Sequence, residues 1–465
     1  MSTKKYIGIG LMLGFIALLF FIYPIGKSSI SVLSGYSAKA ACSCVFVAHR
    51  ELQTVIDEEL AAYNAFIDVS IDKEGKKAIA IAAGTERIAV YREGLGCSLL
   101  PEGMSQAEEV AGFEPVDLPS ENPDSLQWPF GSMDTLAYPS SVNKEKLNAA
   151  FEKIFTESNP ELLQNTRAAL VVYQDKIIGE RYAEGFDKST PHLGWSMTKS
   201  VTNALTGILV GRGELDVSEK APIAEWERAN DPRNAISLDD LMRMSSGLDF
   251  EEVYFGDADA TRMLFMEKST GDYAIKSKLA HKPDTHWSYS SGTTNIISKI
   301  IRDRFESHSE YLRFPRKALF NKIGMRSAQM EPDAGGTYVG SSFMYATARD
   351  WARFGLLYLY DGVWAGERIL PEGWVDYSRK RTPTSEHGLY SAQFWNAATK
   401  KVGTPMSRYW PELPEDIYYA SGFEGQQVVI IPSKDMVIVR LGLTADRAAW
   451  DLGAFIKGVL ESIEE

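Results

Sequence analysis

The residues best suited to chemistry in this chain lie in one tetrapeptide, Ser196-Met197-Thr198-Lys199. Its hydroxyl and its amine are three residues apart, so on a helix they share one face. Serine attacks poorly at its free pKa and needs an adjacent base, which a lysine supplies where its surroundings favour the neutral amine. The spacing predicts an activated nucleophile, although Ser2-Thr3-Lys4-Lys5 satisfies the same pattern within a polar N-terminal cluster.

The context of Ser196 predicts that the motif opens a buried helix. Gly194 and Trp195 precede the serine, and residues 200–210 are mostly apolar or small. The N–H groups and dipole at a helix N-terminus stabilise developing negative charge and lower the pKa of Lys199. The alternative interpretation is an N-cap serine followed by a surface lysine.

Two further segments carry candidate groups. Tyr289, in Trp287-Ser288-Tyr289-Ser290-Ser291-Gly292, precedes a predicted helix and can relay protons. Beside a cationic lysine, the pKa of its phenol is expected to fall. In Ala420-Ser421-Gly422-Phe423-Glu424-Gly425-Gln426, glycines before a strand let a backbone N–H approach a substrate oxygen, as an oxyanion hole requires. The alternatives are a packed loop tyrosine and a simple glycine turn.

Strand patterns at both ends of the second half of the chain must position these segments. Residues 168–173 and 177–182 predict a hairpin upstream of Ser196, and residues 427–431 and 436–441 predict a second one. Predicted helices fill the interval and cover the C-terminus. We therefore expect an α+β fold, with one antiparallel sheet whose first and last strands meet, flanking helices and a helical lobe.

The N-terminal region predicts a membrane anchor and a small domain. Residues 6–26 are almost wholly apolar, and about 20 such residues match the hydrocarbon thickness of a bilayer. Lys4 and Lys5 precede this segment, so the positive-inside rule places the following chain outside the cytoplasm. We expect a single-pass protein of the inner membrane with a periplasmic catalytic domain, if the source is Gram-negative. A cleaved signal peptide is the alternative, because Ala38-Lys39-Ala40 has small residues at cleavage-site spacing.

The resulting domain organisation has four parts. We expect residues 1–40 to form the anchor, residues 41–112 a small α+β appendage, residues 113–141 a linker and residues 142–465 the main domain. Cys42, Cys44 and Cys97 suit an oxidising compartment, where Cys97 can bridge to either of the other two. The net charge of −13 argues against a nucleic-acid partner. Three cysteines without clustered histidines do not complete a zinc site, and no cofactor is expected.

The order of these motifs resembles the serine β-lactamase and penicillin-recognising superfamily over residues 140–465. Class C β-lactamase-like esterases and 6-aminohexanoate-oligomer hydrolases are the most similar branch. The resemblance also rests on Met244-Ser245-Ser246-Gly247-Leu248-Asp249 and on the segment from Gly340 to Asp350. It implies that Ser196 is acylated, that Lys199 is its base and that Tyr289 relays protons. It further implies an oxyanion hole from the N–H groups of Ser196 and Phe423, and a mobile, substrate-covering role for Tyr254.

Departures from the family pattern narrow the expected chemistry. Tyr289-Ser290-Ser291 places Ser291 where β-lactamases commonly carry an asparagine that orients the substrate. Ala420-Ser421-Gly422 replaces the Lys-Thr-Gly strand, so the cation that grips a β-lactam carboxylate is missing. Glu424 stands where relatives often have histidine. These differences favour hydrolysis of a small ester or amide over a β-lactam.

Two other function classes compete with this hydrolase. A non-catalytic envelope protein could keep the fold and bind a peptide or peptidoglycan fragment. A histidine-based triad hydrolase is the other, but no Gly-x-Ser-x-Gly elbow is present, and His192 fits a packing role.

Overall fold

The structure, a computed structural model, describes residues 26–104, 116, 125–131, 133, 138–401 and 408–464. Almost all of the predicted membrane segment 6–26 and much of the predicted linker 113–141 lie outside these ranges. In the described part, no helix combines the length and apolar character needed to cross a membrane.

The α-helices of the described ranges are residues 26–46, Leu52–Asp57, Lys144–Phe155, Thr198–Gly211, Leu238–Met242, Asp259–Phe265, Thr270–Ala274, Ser291–Arg302, His308–Pro315, Ala348–Leu359, Trp374–Arg379 and Leu452–Leu460. The strands of the described ranges form four sheets, the first with four strands, Ile67–Asp72, Lys77–Ala82, Thr85–Arg92 and Gly96–Leu99. The central sheet has six strands, in the spatial order Trp395–Asn396, Tyr418–Ser421, Gln427–Ile431, Met436–Gly442, Thr166–Tyr173 and Lys176–Tyr182. A third sheet has three strands, His192–Leu193, Met344–Ala346 and Gln329–Met330, and the fourth pairs Val363–Trp364 with Glu367–Arg368.

The central six-stranded sheet confirms the predicted closure of the fold. Strand Met436–Gly442 pairs antiparallel with Thr166–Tyr173, so the last strand along the chain meets the first strand of this sheet. The expected antiparallel α+β fold is therefore correct. Residues on a strand alternate between two faces, and here both faces are buried.

Helices cover the two faces of this sheet with separate cores. Leu170 and Val172 lie in the same cluster as Trp351 of helix Ala348–Leu359. Ala169 and Val171 face the opposite cluster, where Phe151 and Phe455 meet edge to face at 5.8 Å. The sheet is thus held rigid between helices, and it provides a fixed frame for the site at its edge.

Two helix predictions differ from the structure. The sequence pattern over residues 48–62 predicts a helix, but only Leu52–Asp57 is an α-helix, and 3-10 and turn geometry follows it. The sequence pattern predicts the C-terminal helix over residues 448–463, whereas the observed helix spans Leu452–Leu460. Its start is set by Asp451, whose side chain accepts the N–H of Ala454 and caps the helix.

The N-terminal helix, residues 26–46, packs between the four-stranded sheet and the hydrolase core. Val32, Ala38 and Ala41 share one buried cluster with Ala80 of that sheet and with residues of the hydrolase domain. The disulfide joins Cys42 to Cys97 with a Cα–Cα distance of 6.1 Å, and Cys44 is free and buried. The helix is therefore an integral part of the packed structure.

Candidate active site

Ser196 lies on a sharp turn between a short strand and a buried helix. Strand His192–Leu193 leads into a 3-10 turn, Trp195–Met197, and the α-helix begins at Thr198. The backbone at Trp195 has a φ of 47°, which turns the chain into the helix. The sequence prediction of a buried helix at the motif is correct, with the serine just before its first α-helical turn.

Lys199 is buried, and its amine contacts three oxygen atoms. Nζ lies 3.2 Å from Ser196 Oγ, 2.9 Å from Ser291 Oγ and 3.0 Å from the carbonyl oxygen of Ser341. Helix Ser291–Arg302 supplies Ser291 and also Asn295, whose side-chain amide bonds Ser341 at both N–H and Oγ. This helix therefore fixes two of the three partners of the lysine.

Burial lowers the pKa of Lys199 to about 8, against the opposing charge of Glu252. The sequence expectation of a lowered pKa is correct in direction. Its dominant cause is desolvation rather than the helix dipole, since the amine is removed from water and its three direct partners are uncharged.

Tyr289 lies against both members of the motif. Its side chain hydrogen-bonds to Ser196, and Lys199 Nζ lies 4.8 Å from the ring centroid. The expected fall in the pKa of the phenol is wrong. Burial raises the pKa of Tyr289, and the carboxylate of Glu252 raises it further. The phenol therefore stays protonated near neutral pH.

A carboxylate that the sequence analysis did not identify connects the predicted residues. Glu252 accepts hydrogen bonds from the N–H of Ser291 at 2.7 Å and from its hydroxyl at 2.6 Å. The hydroxyl of Tyr254 lies 2.6 Å from Glu252 Oε1 and 2.8 Å from Ser291 Oγ. Tyr254, although half exposed, thus joins the same network as Lys199.

This network determines how the amine of Lys199 is oriented. Ser291 has a single hydroxyl proton, and it donates that proton to Glu252, so its oxygen accepts from Lys199. The carbonyl of Ser341 can only accept. A neutral amine has two N–H donors and one lone pair, and both donors are used by these partners. The lone pair is left facing Ser196 Oγ.

The glycine-rich segment lies beside the serine turn. Gly422 directly follows strand Tyr418–Ser421, and a Cβ built on Gly422 would lie 2.1 Å from the carbonyl oxygen of Gly194. Only glycine allows this approach. Phe423 is the first residue of a 3-10 turn, and the N–H of a residue at the start of such a turn has no acceptor within the turn itself. The same holds for Ser196 in its own 3-10 turn, so the two predicted oxyanion donors lie on adjoining turns.

A second contact joins the two turns. Trp195 Nε1 donates to Glu424 Oε2 at 3.1 Å, and the rings of Trp195 and Phe423 meet edge to face at 5.8 Å. Burial raises the pKa of Glu424 to about 7. Glu424 also lines a cavity of about 50 Å³ with Tyr36 and Glu59, between the N-terminal helix and the sheet.

Aromatic side chains form the walls of the site. The Tyr289 ring lies 5.2 Å from Trp395 and 5.7 Å from Tyr390, and Trp195 and Phe423 stand on the side of the glycine-rich turn. His192 is packed against Phe186 at 5.3 Å, in keeping with its predicted packing role. The site can therefore hold an apolar group beside the serine.

Comparison with known proteins agrees with the fold and the motifs. The family described as "Beta-lactamase" matches residues 163–447, more than half of the chain. The 6-aminohexanoate-dimer hydrolase of Paenarthrobacter ureafaciens is 24% identical over 371 residues, covering 72% of this chain and 90% of that protein. The chain belongs to the beta-lactamase family, and it is a serine hydrolase of that family.

Two solved structures have the same fold at low sequence identity. A family VIII carboxylesterase is 12% identical with a TM-score of 0.53, covering 71% of this chain and 99% of its own. A penicillin-binding protein homologue from Caulobacter crescentus is 12% identical with a TM-score of 0.51 and the same coverage. These likenesses show that the chain shares their fold.

The structure thus brings together all seven predicted site residues around Ser196, and adds others. The predicted residues are Ser196, Lys199, Tyr289, Ser291, Tyr254, Gly422 and Phe423. Glu252 was missed, although its spacing of two from Tyr254 places both on one side of an extended segment. Ser341 was missed as a partner of Lys199, because a backbone carbonyl leaves no signature in the sequence.

Proposed function

We propose that this protein hydrolyses a small ester or amide through an acyl-enzyme on Ser196. The observation that carries the proposal is the environment of Lys199, whose Nζ lies 3.2 Å from Ser196 Oγ while its other two contacts, Ser291 Oγ and the carbonyl oxygen of Ser341, are acceptors. In the neutral amine these two acceptors take both N–H groups, which leaves the lone pair for the proton of Ser196. A pKa of about 8 leaves part of the amine neutral at pH 7.

The reaction then proceeds in two transfers. Lys199 takes the proton of Ser196 as Oγ bonds to the substrate carbonyl carbon, and the N–H groups of Ser196 and Phe423 stabilise the oxyanion. Tyr289 passes the proton from Lys199 to the leaving alcohol or amine, and the ester or amide bond breaks. Water then attacks the acyl-enzyme with its proton accepted by the same groups, which releases the acid and restores Ser196.

The raised pKa of Tyr289 fits this relay. A protonated phenol can donate to the leaving group and be reprotonated by the lysine. The absence of a Lys-Thr-Gly strand, with Ala420-Ser421-Gly422 in its place, argues for esters or amides rather than β-lactams. The named activity of the Paenarthrobacter relative, a 6-aminohexanoate-dimer hydrolase, favours the same substrate class.

We also propose that the catalytic domain lies outside the cytoplasm, tethered to the inner membrane by residues 6–26. The apolar character of that segment and the Cys42–Cys97 disulfide support this location, because disulfides persist in oxidising compartments. Carbonate extraction of cell membranes tests it: a tethered protein stays in the pellet, and release into the supernatant contradicts the tether.

A fluorophosphonate provides the direct test of the nucleophile. Intact-mass and peptide mass spectrometry of the full chain should find one adduct on Ser196, and a Ser196→Ala protein should gain none. The Ser2→Ala protein is the matched control, because it removes the serine of the other Ser-x-x-Lys motif, and it should be labelled normally. A folded protein that gains no adduct would instead support a binding protein.

A further inference from the structure

The loop at the mouth of the site exposes three consecutive apolar or aromatic side chains. Val253, Tyr254 and Phe255 are all exposed, and Phe255 is 85% accessible. A fully exposed phenylalanine forgoes burial worth roughly 1.5–3 kcal/mol, so a cluster of this kind marks a surface that contacts something apolar. We call residues 253–255 the mouth loop.

The mouth loop is connected directly to the catalytic groups. The Tyr254 hydroxyl lies 2.8 Å from Ser291 Oγ, which in turn lies 2.9 Å from Lys199 Nζ. Two hydrogen-bond distances therefore separate the loop from the base. The mouth loop therefore borders the catalytic groups.

The mouth loop lies beside the first turn of the N-terminal helix. A Cβ built on Gly256 would lie 3.7 Å from Ser29 Oγ. Further along the helix, a Cβ on Gly35 would lie 2.7 Å from the carbonyl oxygen of Phe265, and the rings of Tyr36 and Phe265 meet at 5.5 Å. The helix is thus packed along the segment that carries the mouth loop.

Ser29 is three residues beyond Gly26, where the apolar run of the sequence ends. At a rise of about 1.5 Å per residue, this distance is roughly 5 Å along a helix. If residues 6–26 cross the bilayer, the mouth loop lies at its surface. We propose that Phe255 and Val253 enter this surface and that the substrate is a membrane-borne amphiphile with an ester or amide bond.

Two acidic residues that follow the loop have partners within the protein. Asp257 is paired with Arg262 at 2.6 Å. Asp259 accepts the N–H of Glu251 and the hydroxyl of Tyr273. These carboxylates are engaged within the protein, so the loop can approach headgroups with its apolar tip leading.

This inference rests on the proposed function, because it names the substrate class of the same site. A substrate that partitions into the membrane reaches Ser196 without leaving the surface, and its apolar chain meets the aromatic walls. A freely soluble, strongly polar ester has neither advantage.

Lipid quenching tests the contact without any reaction. The full chain carrying Phe255→Cys is labelled with a nitrobenzoxadiazole dye and placed in nanodiscs of phosphatidylethanolamine and phosphatidylglycerol containing nitroxide lipids. We expect quenching of more than about half of the emission, since the dye lies at headgroup depth. The same dye at Phe66→Cys, an exposed phenylalanine of the appendage that is 70% accessible, is the control and should be quenched much less.

Three outcomes would overturn the proposal. Equal, weak quenching at both positions would place the mouth loop away from the lipid. Equal, strong quenching would remove the distinction between the mouth loop and the appendage. A second copy of the chain would cover the loop if the emission of the dye at position 255 depended on protein concentration and was not quenched by nitroxide lipids.

Kinetics tests the substrate class in the same nanodiscs. The rate for p-nitrophenyl palmitate, which partitions into lipid, is divided by the rate for soluble p-nitrophenyl acetate. Phe255→Ser should lower this ratio about tenfold, and Phe66→Ser should leave it within about twofold. An unchanged ratio for Phe255→Ser would contradict a membrane-borne substrate.

The Ser196→Ala protein separates this inference from the proposed function. If the mouth loop contacts lipid, the dye at position 255 is quenched in a Ser196→Ala background as well. Loss of hydrolysis with retained quenching is the expected pair. Hydrolysis that persists in Ser196→Ala would reject the nucleophile while leaving the membrane contact standing.

Discussion

Two buried lysines in this protein have very different partners. Lys199 is 1% exposed and contacts two hydroxyls and a carbonyl, whereas Lys39 is 5% exposed and forms an ion pair with Glu331. Glu331 also accepts from Ser43 at 2.8 Å and from the N–H of Cys97 at 2.7 Å. Burial lowers the pKa of both lysines, but only Lys39 has an adjacent carboxylate that opposes the shift by direct contact.

The difference between the partners of the two lysines shows that burial alone does not make a lysine catalytic. At Lys39 the hydrogen-bonded carboxylate of Glu331 opposes the effect of burial on the pKa, and the ion pair joins the N-terminal helix to the hydrolase domain. A lysine with uncharged partners can release its proton at an accessible pH. In the second case the carboxylate, Glu252, is one hydroxyl away, so it orients the network without pairing with the amine.

Lys199→Met should have the largest effect on activity. Removing the base should lower kcat for p-nitrophenyl acetate by roughly a thousandfold or more. The methionine follows the path of the lysine stem, so the protein should remain folded by circular dichroism. Retention of more than a tenth of the parent kcat would contradict the assignment of Lys199 as the base.

Lys39→Met should instead affect stability. It leaves the carboxylate of Glu331 buried without its cation, which typically costs about 3–5 kcal/mol of the free energy of unfolding. Urea unfolding measures this loss, and kcat per folded molecule should stay within about threefold. The double variant Lys39→Met with Glu331→Gln should recover part of the stability. A purely additive double variant would mean that the pair is not coupled.

The pH dependence sharpens the comparison further. Because the neutral amine is the base, kcat/KM should rise with pH and level off above a midpoint near the pKa of Lys199, about 8. Glu252→Gln removes the negative charge that raises this pKa, so the midpoint should move to lower pH. Ser29→Ala, near the mouth loop but outside the network, serves as the control and should keep the midpoint. A midpoint that moves upward in Glu252→Gln would contradict the network.

The same shift has a consequence for stability. The unfolded chain keeps the proton of Lys199 up to its ordinary value of 10.5, whereas the folded protein releases it near 8. Between these values the unfolded state binds more protons than the folded state, so the free energy of unfolding increases as pH rises. Lys199→Met should lack this increment in urea titrations across that window.

Glu424→Gln should have the smallest effect. A carboxylate accepts more strongly than an amide, so Trp195 is held best when Glu424 is ionised, above its pKa of about 7. The variant should change kcat/KM by about two- to threefold and should remove a step near pH 7 from the profile. Glu412→Gln, at an exposed site, should keep that step. A step that survives in Glu424→Gln must come from another group.

The sheet and the catalytic motifs were largely predictable from the sequence. The short apolar runs at residues 168–173 and 436–441, rich in β-branched residues, are typical of strands buried on both faces, and these two strands do pair. Apolar residues of the segment Lys144–Phe155 recur at helical spacing, which predicts a helix with the bounds that are observed. The extent of the short helices near Leu52 and Leu452 was not, because end positions depend on caps such as Asp451 rather than on periodicity.

The site was predicted as a set of residues but not as a network. Ser196, Lys199 and Tyr289 stand in recognisable motifs, and their meeting followed from motif order. The direction of the pKa of Tyr289 was wrong because the prediction considered only the neighbouring cation. Burial and Glu252, which arrives from a loop remote in sequence, outweigh it.

The sequence by itself determined the nucleophile motif and the antiparallel sheet, because these depend on local spacing and on runs of strand-forming residues. Membership of a hydrolase family followed from the resemblance of its motifs to those of known proteins. Only the tertiary structure decided which lysine is paired and which is free of a carboxylate. The tertiary structure also shows that Cys42, rather than Cys44, is the partner of Cys97, and that the mouth loop lies beside Ser29. Desolvation and long-range contacts are properties of the packed chain, and no short stretch of residues encodes them.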